Sequence, residues 1–145
     1  MQEKIIVTKM LCMLANAIRK CYCKSPIKQE VENVSGTHGW IIAYLSDHTE
    51  ENIYQRDLER EFGIGRSTTS KMLAKMEDAG LVRRERVFMD DRLKKIVLTD
   101  KSKELAFKIR MDNLKTEQKI LDGFSEDEVE QLEGYLQRML QNLAT

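Results

Sequence analysis

The stretch that most constrains this chain is Gln55–Thr99, where two short amphipathic segments meet at a glycine and a charged hairpin follows directly. Leu58 and Phe62 lie four residues apart, on one helical face. Gly63 ends that segment, because glycine tolerates the left-handed backbone that a helix C-terminus often needs. Ile64 is apolar inside the short turn and is expected to plug the gap between two helices. Ser67 or a neighbour is expected to cap the second helix, which should run to about Ala79 with Met72, Leu73 and Met76 turned inward and Gly80 as its stop. Leu81-Val82 starts a strand and Ile96-Val97-Leu98 ends one. A two-stranded hairpin cannot build a core of its own, so it must lean on the helices and project its tip. The order helix, turn, helix, hairpin predicts a winged helix-turn-helix, a shape that puts one helix in a DNA major groove.

The outer face of the second helix carries Arg66, Ser67, Thr68, Ser70, Lys71 and Lys75. Hydroxyls reach base edges and phosphates, and cations reach phosphates or guanine. An ordinary solvated face would carry similar charges. The hairpin adds Arg83, Arg84, Arg86, Asp90, Asp91, Arg92, Lys94 and Lys95. An arginine at such a tip suits a narrow minor groove, where the potential is most negative. Asp90, two positions from Arg92, is placed to hold that arginine extended. A solubilising loop is the plainer alternative.

These residues resemble the winged helix-turn-helix of the MarR family, the multiple-antibiotic-resistance-type regulators. R-S-T-T-S-K-M-L-A-K-M-E-D-A-G-L-V-R-R is similar to that family's recognition helix and the start of its wing. D-D-R-L-K-K-I-V-L-T is similar to its wing signature, Asp-x-Arg followed by a strand ending Leu-Thr, with Asp90 and Arg92 in the motif positions. The resemblance is strong over Gln55–Thr99 and looser over most of the remaining chain. Two positions depart from it: Thr69 stands where the family usually has an apolar residue, and Ser102 where it often has glycine. Thr69 is expected to loosen the packing of the recognition helix slightly.

The 145 residues are enough for one compact domain. An apolar content of 41% and a charged content of 33% fit a soluble, helix-rich protein. No apolar run approaches the ~20 residues of a membrane span. The opening M-Q-E-K-I-I-V-T-K-M lacks the apolar core and cleavage site of a signal peptide, so a cytoplasmic protein is expected. The net charge is zero, but its distribution is uneven. From Arg66 to Lys95 nine Lys/Arg face five Asp/Glu, a net of +4; from Asp112 to Thr145 three face eight, a net of −5. A basic head can approach DNA while an acidic far end is repelled.

The first helix is expected over about Lys4–Lys24, with Ile5, Leu11, Leu14, Ile18 and Tyr22 at helical spacing. Such a stripe needs a cover. Ser25-Pro26 should end it, and a polar connector runs to Gly36. Thr37 can cap a second helix through about Asp47, with Trp40, Ile41, Tyr44 and Leu45 buried. Ile53-Tyr54 is a candidate short strand beside the wing. After the wing, Asp100 or Thr99 can cap a long helix through about Leu121, with Phe107, Leu114 and Leu121 spaced by seven. Asp122-Gly123 breaks it. Ser125 and Glu128 form a capping box for a last helix that carries Val129, Leu132, Leu136, Met139, Leu140 and Leu143 on one face. The terminal helices can form an intramolecular bundle, or Leu11, Leu14, Ile18, Leu132, Leu136, Leu140 and Leu143 can build a two-fold interface. The resemblance implies the dimer, whose paired recognition helices would read a pseudo-palindromic double-stranded operator.

No phosphate-binding glycine loop, nucleophile elbow, H-E-x-x-H or paired CxxC occurs, and no catalytic residues are expected. His38 and His48 read as a cap-region and a turn residue. Cys21 and Cys23 are roughly 200° apart on a helix, so they do not share a face. Zinc binding by Cys21, Cys23, His38 and Glu30 or Glu32 matches no standard pattern, and neither metal nor cofactor is expected. Cys12 is a candidate redox sensor, because some MarR-type regulators sense peroxides through a thiol in this region; a small core residue is the alternative.

The expected fold is mainly α with a small β-wing: residues 37–99 as the winged-helix DNA-binding lobe, 1–36 and 100–145 as dimerisation helices, all within one MarR-type domain. The expected function is a homodimeric transcriptional repressor, not an enzyme. Its DNA contacts are Arg66, Ser67, Thr68, Ser70, Lys71, Lys75, Arg86, Asp90, Arg92 and Lys94. Release would come from a small-molecule effector, in a cleft that Trp40, Tyr44 and Tyr22 could line, or from a redox signal. The competing class is a winged-helix protein-interaction module.

Overall fold

The computed structural model of the chain describes residues 4–24, 36–88 and 90–144, with Gly36, Asp90 and Asp91 described by their backbone alone. The elements in order are α1 (Val7–Cys23), α2 (Gly36–Asp47), α3 (Gln55–Phe62), α4 (Arg66–Asp78), β1 (Val82–Val87), β2 (Asp90–Leu98), α5 (Asp100–Ile120) and α6 (Glu126–Leu143). The expected class, mainly helical with a small wing, is the one observed. The chain divides into two compact units, Met1–Asp112 and Asn113–Thr145.

In the first unit, α3 ends as its sequence requires. Gly63 has φ 61° and ψ 38°, and its N–H bonds to the Glu59 carbonyl. The Ile64 N–H takes the same carbonyl at 3.1 Å. The amide of Gln55 then donates to the Arg66 carbonyl at 3.3 Å, tying the starts of α3 and α4 together. The N-cap of α4 is Gly65, in extended conformation and without a side-chain cap. Ser67 lies inside the first turn, exposed, because the helix begins one residue before it. Thr69 is fully buried beside Leu73 and Met76, and its hydroxyl donates to the Gly65 carbonyl at 2.9 Å. The departure from an apolar residue therefore leaves no unpaired donor in the core.

Helix α2 is turned differently from its expected orientation. Ile41 and Ile42 are fully buried and Leu45 nearly so, while Tyr44 is half-buried and Trp40 is 43% exposed. Trp40-Ile41-Ile42 is apolar over a wide arc, so periodicity alone cannot choose its inner face. The choice is made where α5 comes closest: a Cβ on Gly39 would stand 3.3 Å from Ile109 Cγ2. That approach turns Ile42 inward and Trp40 outward, about 200° away. Arg110 and Asp47 form an ion pair between the same two helices.

Among the described residues the sheet holds two antiparallel strands. Val82 opposes Leu98, Arg84 opposes Ile96 and Arg86 opposes Lys94 on one face; Arg83 opposes Val97 and Glu85 opposes Lys95 on the other. Val82, Ile96 and Leu98 are buried with the helices, so the first face leans on the core as a small hairpin must. The candidate strand at Ile53-Tyr54 is not formed. Ile53 contributes one bond, accepting from the Ile96 N–H at 2.7 Å. Tyr54 then becomes the N-cap of α3, its N–H donated to Asp57 Oδ2 at 2.8 Å, and the chain leaves the sheet.

Helix α1 starts at Val7, later than expected, and none of its residues is buried. Its stop at Ser25-Pro26 and the connector that follows lie outside the described residues. In the second unit, Ser125 and Glu128 form the expected capping box: Ser125 Oγ accepts from the Glu128 N–H at 3.1 Å, and Glu128 Oε1 from the Ser125 N–H at 3.4 Å. No residue of α6 is buried either.

Candidate nucleic-acid interface

Burying Thr69, Leu73 and Met76 fixes which side of α4 faces water. Arg66, Ser67, Thr68, Ser70, Lys71 and Lys75 are all exposed on it, joined by Ala74. Hydroxyls crowd the first turns and lysines follow, so one face offers short donors for base edges and longer cations for phosphates.

Beside this face runs a groove of about 510 Å³ between the starts of α3 and α4 and strand β2. Among the described residues its lining includes Arg56, Arg66, Arg84, Arg92 and Lys94, with the carboxylate of Glu59; Arg84 Nε also lies 3.9 Å from Glu77 Oε2. Arg66 from α4 and Arg92 and Lys94 from β2 line this groove together. Arg56 stacks its guanidinium 5.2 Å from the centre of the Tyr54 ring, a cation–π contact that holds it at the groove wall. Lys71, Lys75 and Arg86 stand outside the groove lining. Asp90 pairs its backbone with Val87; its side chain lies outside the described residues, as does its expected contact with Arg92.

The two faces of the wing differ in charge. On the outer face Glu85 bonds Arg83 Nε at 2.9 Å and lies 3.7 Å from Lys95 Nζ. The hydrogen bond from Arg83, before the attraction of Lys95, holds the Glu85 carboxyl below its ordinary value. On the groove face Arg86 stands directly opposite Lys94. Like charges in opposed positions destabilise a hairpin, and an anion laid across them removes that penalty.

Sequence reasoning did not single out Gln55, Arg56 or Arg84 as site residues. The signal for Arg84 was present, because strand alternation from Val82 puts Arg84 and Arg86 on one face. Arg56 carried no such signal, since any outward residue of α3 reads alike.

The remaining candidates divide plainly. Cys12 and Cys23 are exposed and Cys21 half-buried, and none of the three is in a disulfide. His48 places Nδ1 2.7 Å from the Tyr44 carbonyl and stacks on the Tyr44 ring at 4.1 Å, so it closes the end of α2. Among the described residues no three His, Cys, Asp or Glu converge on a metal position; Glu30 and Glu32 lie outside those residues. No described helix is long and apolar enough to cross a membrane. Of the seven proposed interface residues, Ile18 and Leu132 are half-buried, and Leu11, Leu14, Leu136, Leu140 and Leu143 are exposed in the single chain.

Comparison with known proteins bears on the same residues. A model of the MarR family matches residues 32–92. The transcription regulator MarR from Oenococcus oeni PSU-1 is 30% identical, with a TM-score of 0.79 over 94% of this chain and 99% of that one. The S. aureus MepR–DNA complex is 24% identical, with a TM-score of 0.83 over 97% and 100% of the two chains. A putative MarR family regulator from Listeria monocytogenes, solved with a 26mer DNA, is 21% identical, with a TM-score of 0.81 over 99% and 91%.

Proposed function

The chain belongs to the MarR family of transcription regulators, and from that membership we propose that it is a sequence-specific DNA reader acting as a homodimeric repressor. The observation that carries this reading is the convergence of Arg66, Arg92 and Lys94 in one groove beside the exposed face of α4. In this reading α4 enters the major groove. Ser67, Thr68, Ser70 and Lys71 meet bases and phosphates, and Lys75 meets the backbone. Arg86, Arg92 and Lys94 serve the wing, with Arg92 in the adjacent minor groove and Asp90 orienting it. Two proteins of the same fold were solved with DNA, which supports the docking mode.

The apolar faces of α1 and α6 support the dimer, since neither helix has a buried residue in the single chain. A two-fold pair would read half-sites about one helical turn apart. Regulation follows if an effector, a small molecule or oxidation of Cys12, favours one spacing of the two heads over another.

The test is selection of bound sequences from a random duplex pool, then titration of the winner at two salt concentrations. A pseudo-palindromic winner, bound more weakly as salt rises by roughly 0.9 log units per phosphate contact for each log unit of salt, is the expected result. A folded protein that enriches nothing, with or without added effectors, overturns the reading in favour of a winged helix that binds protein.

A further inference from the structure

We propose that Phe88 is an apolar wedge that the wing inserts between base pairs from the minor groove, so that this chain reads the deformability of one base step. The proposal rests on the DNA-reading assignment above. Phe88 forms the turn between β1 and β2 and is 100% exposed, more than any other large apolar side chain among the described residues. Hairpin tips are ordinarily built from Gly, Asn, Asp or Ser; here the sequence runs Val87-Phe88-Met89. The phenyl ring is held wholly in water, with no ring contact among the described residues. Its physical role is with a surface that the wing reaches.

The surroundings of the ring identify that surface as a polyanion with an apolar interior. Arg86 and Lys94 stand opposed one step behind the tip, and Arg92 lines the groove on the same strand. The hairpin's register shifts between Arg86 and Val87, next to the ring. Two cations flanking a protruding ring match a minor groove, where phosphate rails enclose sugars and base edges. Apolar wedges that enter there unstack a step and kink the duplex. Pyrimidine–purine steps yield most easily. Phe88 would therefore favour such a step beneath the wing without a hydrogen bond to any base.

The ring's full exposure makes the test clean, because removing it takes nothing from the core. The probe is the duplex selected from the random pool; the proteins are the native chain, Phe88→Ser and Phe88→Leu. Three quantities are read: affinity, permanganate oxidation of thymines, and sedimentation. The native protein should make a thymine beneath the wing reactive. Phe88→Ser should lose that reactivity and bind roughly tenfold more weakly, as loss of one base–aromatic stack predicts. Its salt dependence should be unchanged, since no phosphate contact is touched. Phe88→Leu, still apolar, should retain part of both effects. Equal affinity and equal thymine reactivity for native and Phe88→Ser overturn the wedge while leaving the DNA reader intact. A Phe88→Ser protein that still unstacks DNA but sediments as a monomer also overturns it, and assigns the ring to a second copy of the chain. If the native chain selects no duplex, the DNA-reading assignment fails and the wedge fails with it.

Discussion

At the residue scale, Thr69 shows how one position can depart from a family pattern without cost. The Gly65 carbonyl accepts both the Thr69 N–H at 3.0 Å and its hydroxyl at 2.9 Å. Removing the hydroxyl leaves that carbonyl paired. Thr69→Val should change stability by no more than about 1 kcal/mol, whereas Thr69→Ser, which keeps the hydroxyl and deletes the methyl, should cost about 0.8 kcal/mol. Chemical denaturation of the two variants separates a packing role from a hydrogen-bonding one. Tyr44 gives a second prediction at this scale. Burial of its phenol, then the carboxylates of Glu61, Glu51 and Asp57, raise its pKa above the ordinary 10.0. The folded state therefore holds this proton more tightly than the unfolded state does. The associated stability is complete below the unfolded value and is lost as pH rises through the folded one. Denaturation midpoints should fall above about pH 10, and Tyr44→Phe should flatten that part of the fall. An identical alkaline profile in the variant would show that other groups cause it.

At the element scale, the residues that follow α4 are held from outside. Three successive carbonyls, of Ala79, Gly80 and Leu81, accept from Lys101 Nζ at 3.1 Å, Thr99 Oγ1 at 2.6 Å and Ser102 Oγ at 2.5 Å. The last-turn carbonyls of α4, of Lys75, Met76 and Glu77, are taken by the N–H groups of Ala79, Leu81 and Gly80; Thr99 and the first turn of α5 hold the three residues that follow. These bonds tie the end of α4 to the start of α5. Ser102 is fully buried. Ser102→Ala should cost about 1–2 kcal/mol of stability, read from the denaturation midpoint. A stability equal to the native protein's would show that Thr99 alone holds the residues after α4.

At the scale of the whole molecule, the apolar faces of the terminal helices bear on the proposed second copy. Helices α1 and α6 present apolar faces that the single chain does not bury, and contiguous exposed apolar surface marks an interface. Leu136 and Leu140 are exposed, so replacing both with arginine removes little from the fold of one chain. The double variant should sediment as a monomer. Its affinity for a two-half-site duplex should fall by about two orders of magnitude or more, because the second head loses its tether. A dimer that survives the double substitution would place the interface elsewhere. Charge is also uneven along the chain, with a net +4 over Arg66–Lys95 and −5 over Asp112–Thr145; the pull of the basic stretch on a polyanion should weaken with added salt.

The sequence by itself determined the order of elements, the turn at Gly63, the inward face of α4, the capping box at Ser125 and the concentration of cations on the wing. Each of these depends on residues within a few positions of one another, where backbone conformation and helical or strand period dominate. Only the tertiary structure decided the rest. The wide apolar arc of α2 left Trp40 and Ile42 undistinguished until α5 packed at Gly39. Ile53 had the composition of a strand, yet the helix beginning at Gln55 claimed its neighbour. Arg56 joined Arg84, Arg92 and Lys94 because α3 packs where the wing folds back. Such outcomes depend on which distant surfaces meet, and the free energy of that meeting is written in no local pattern.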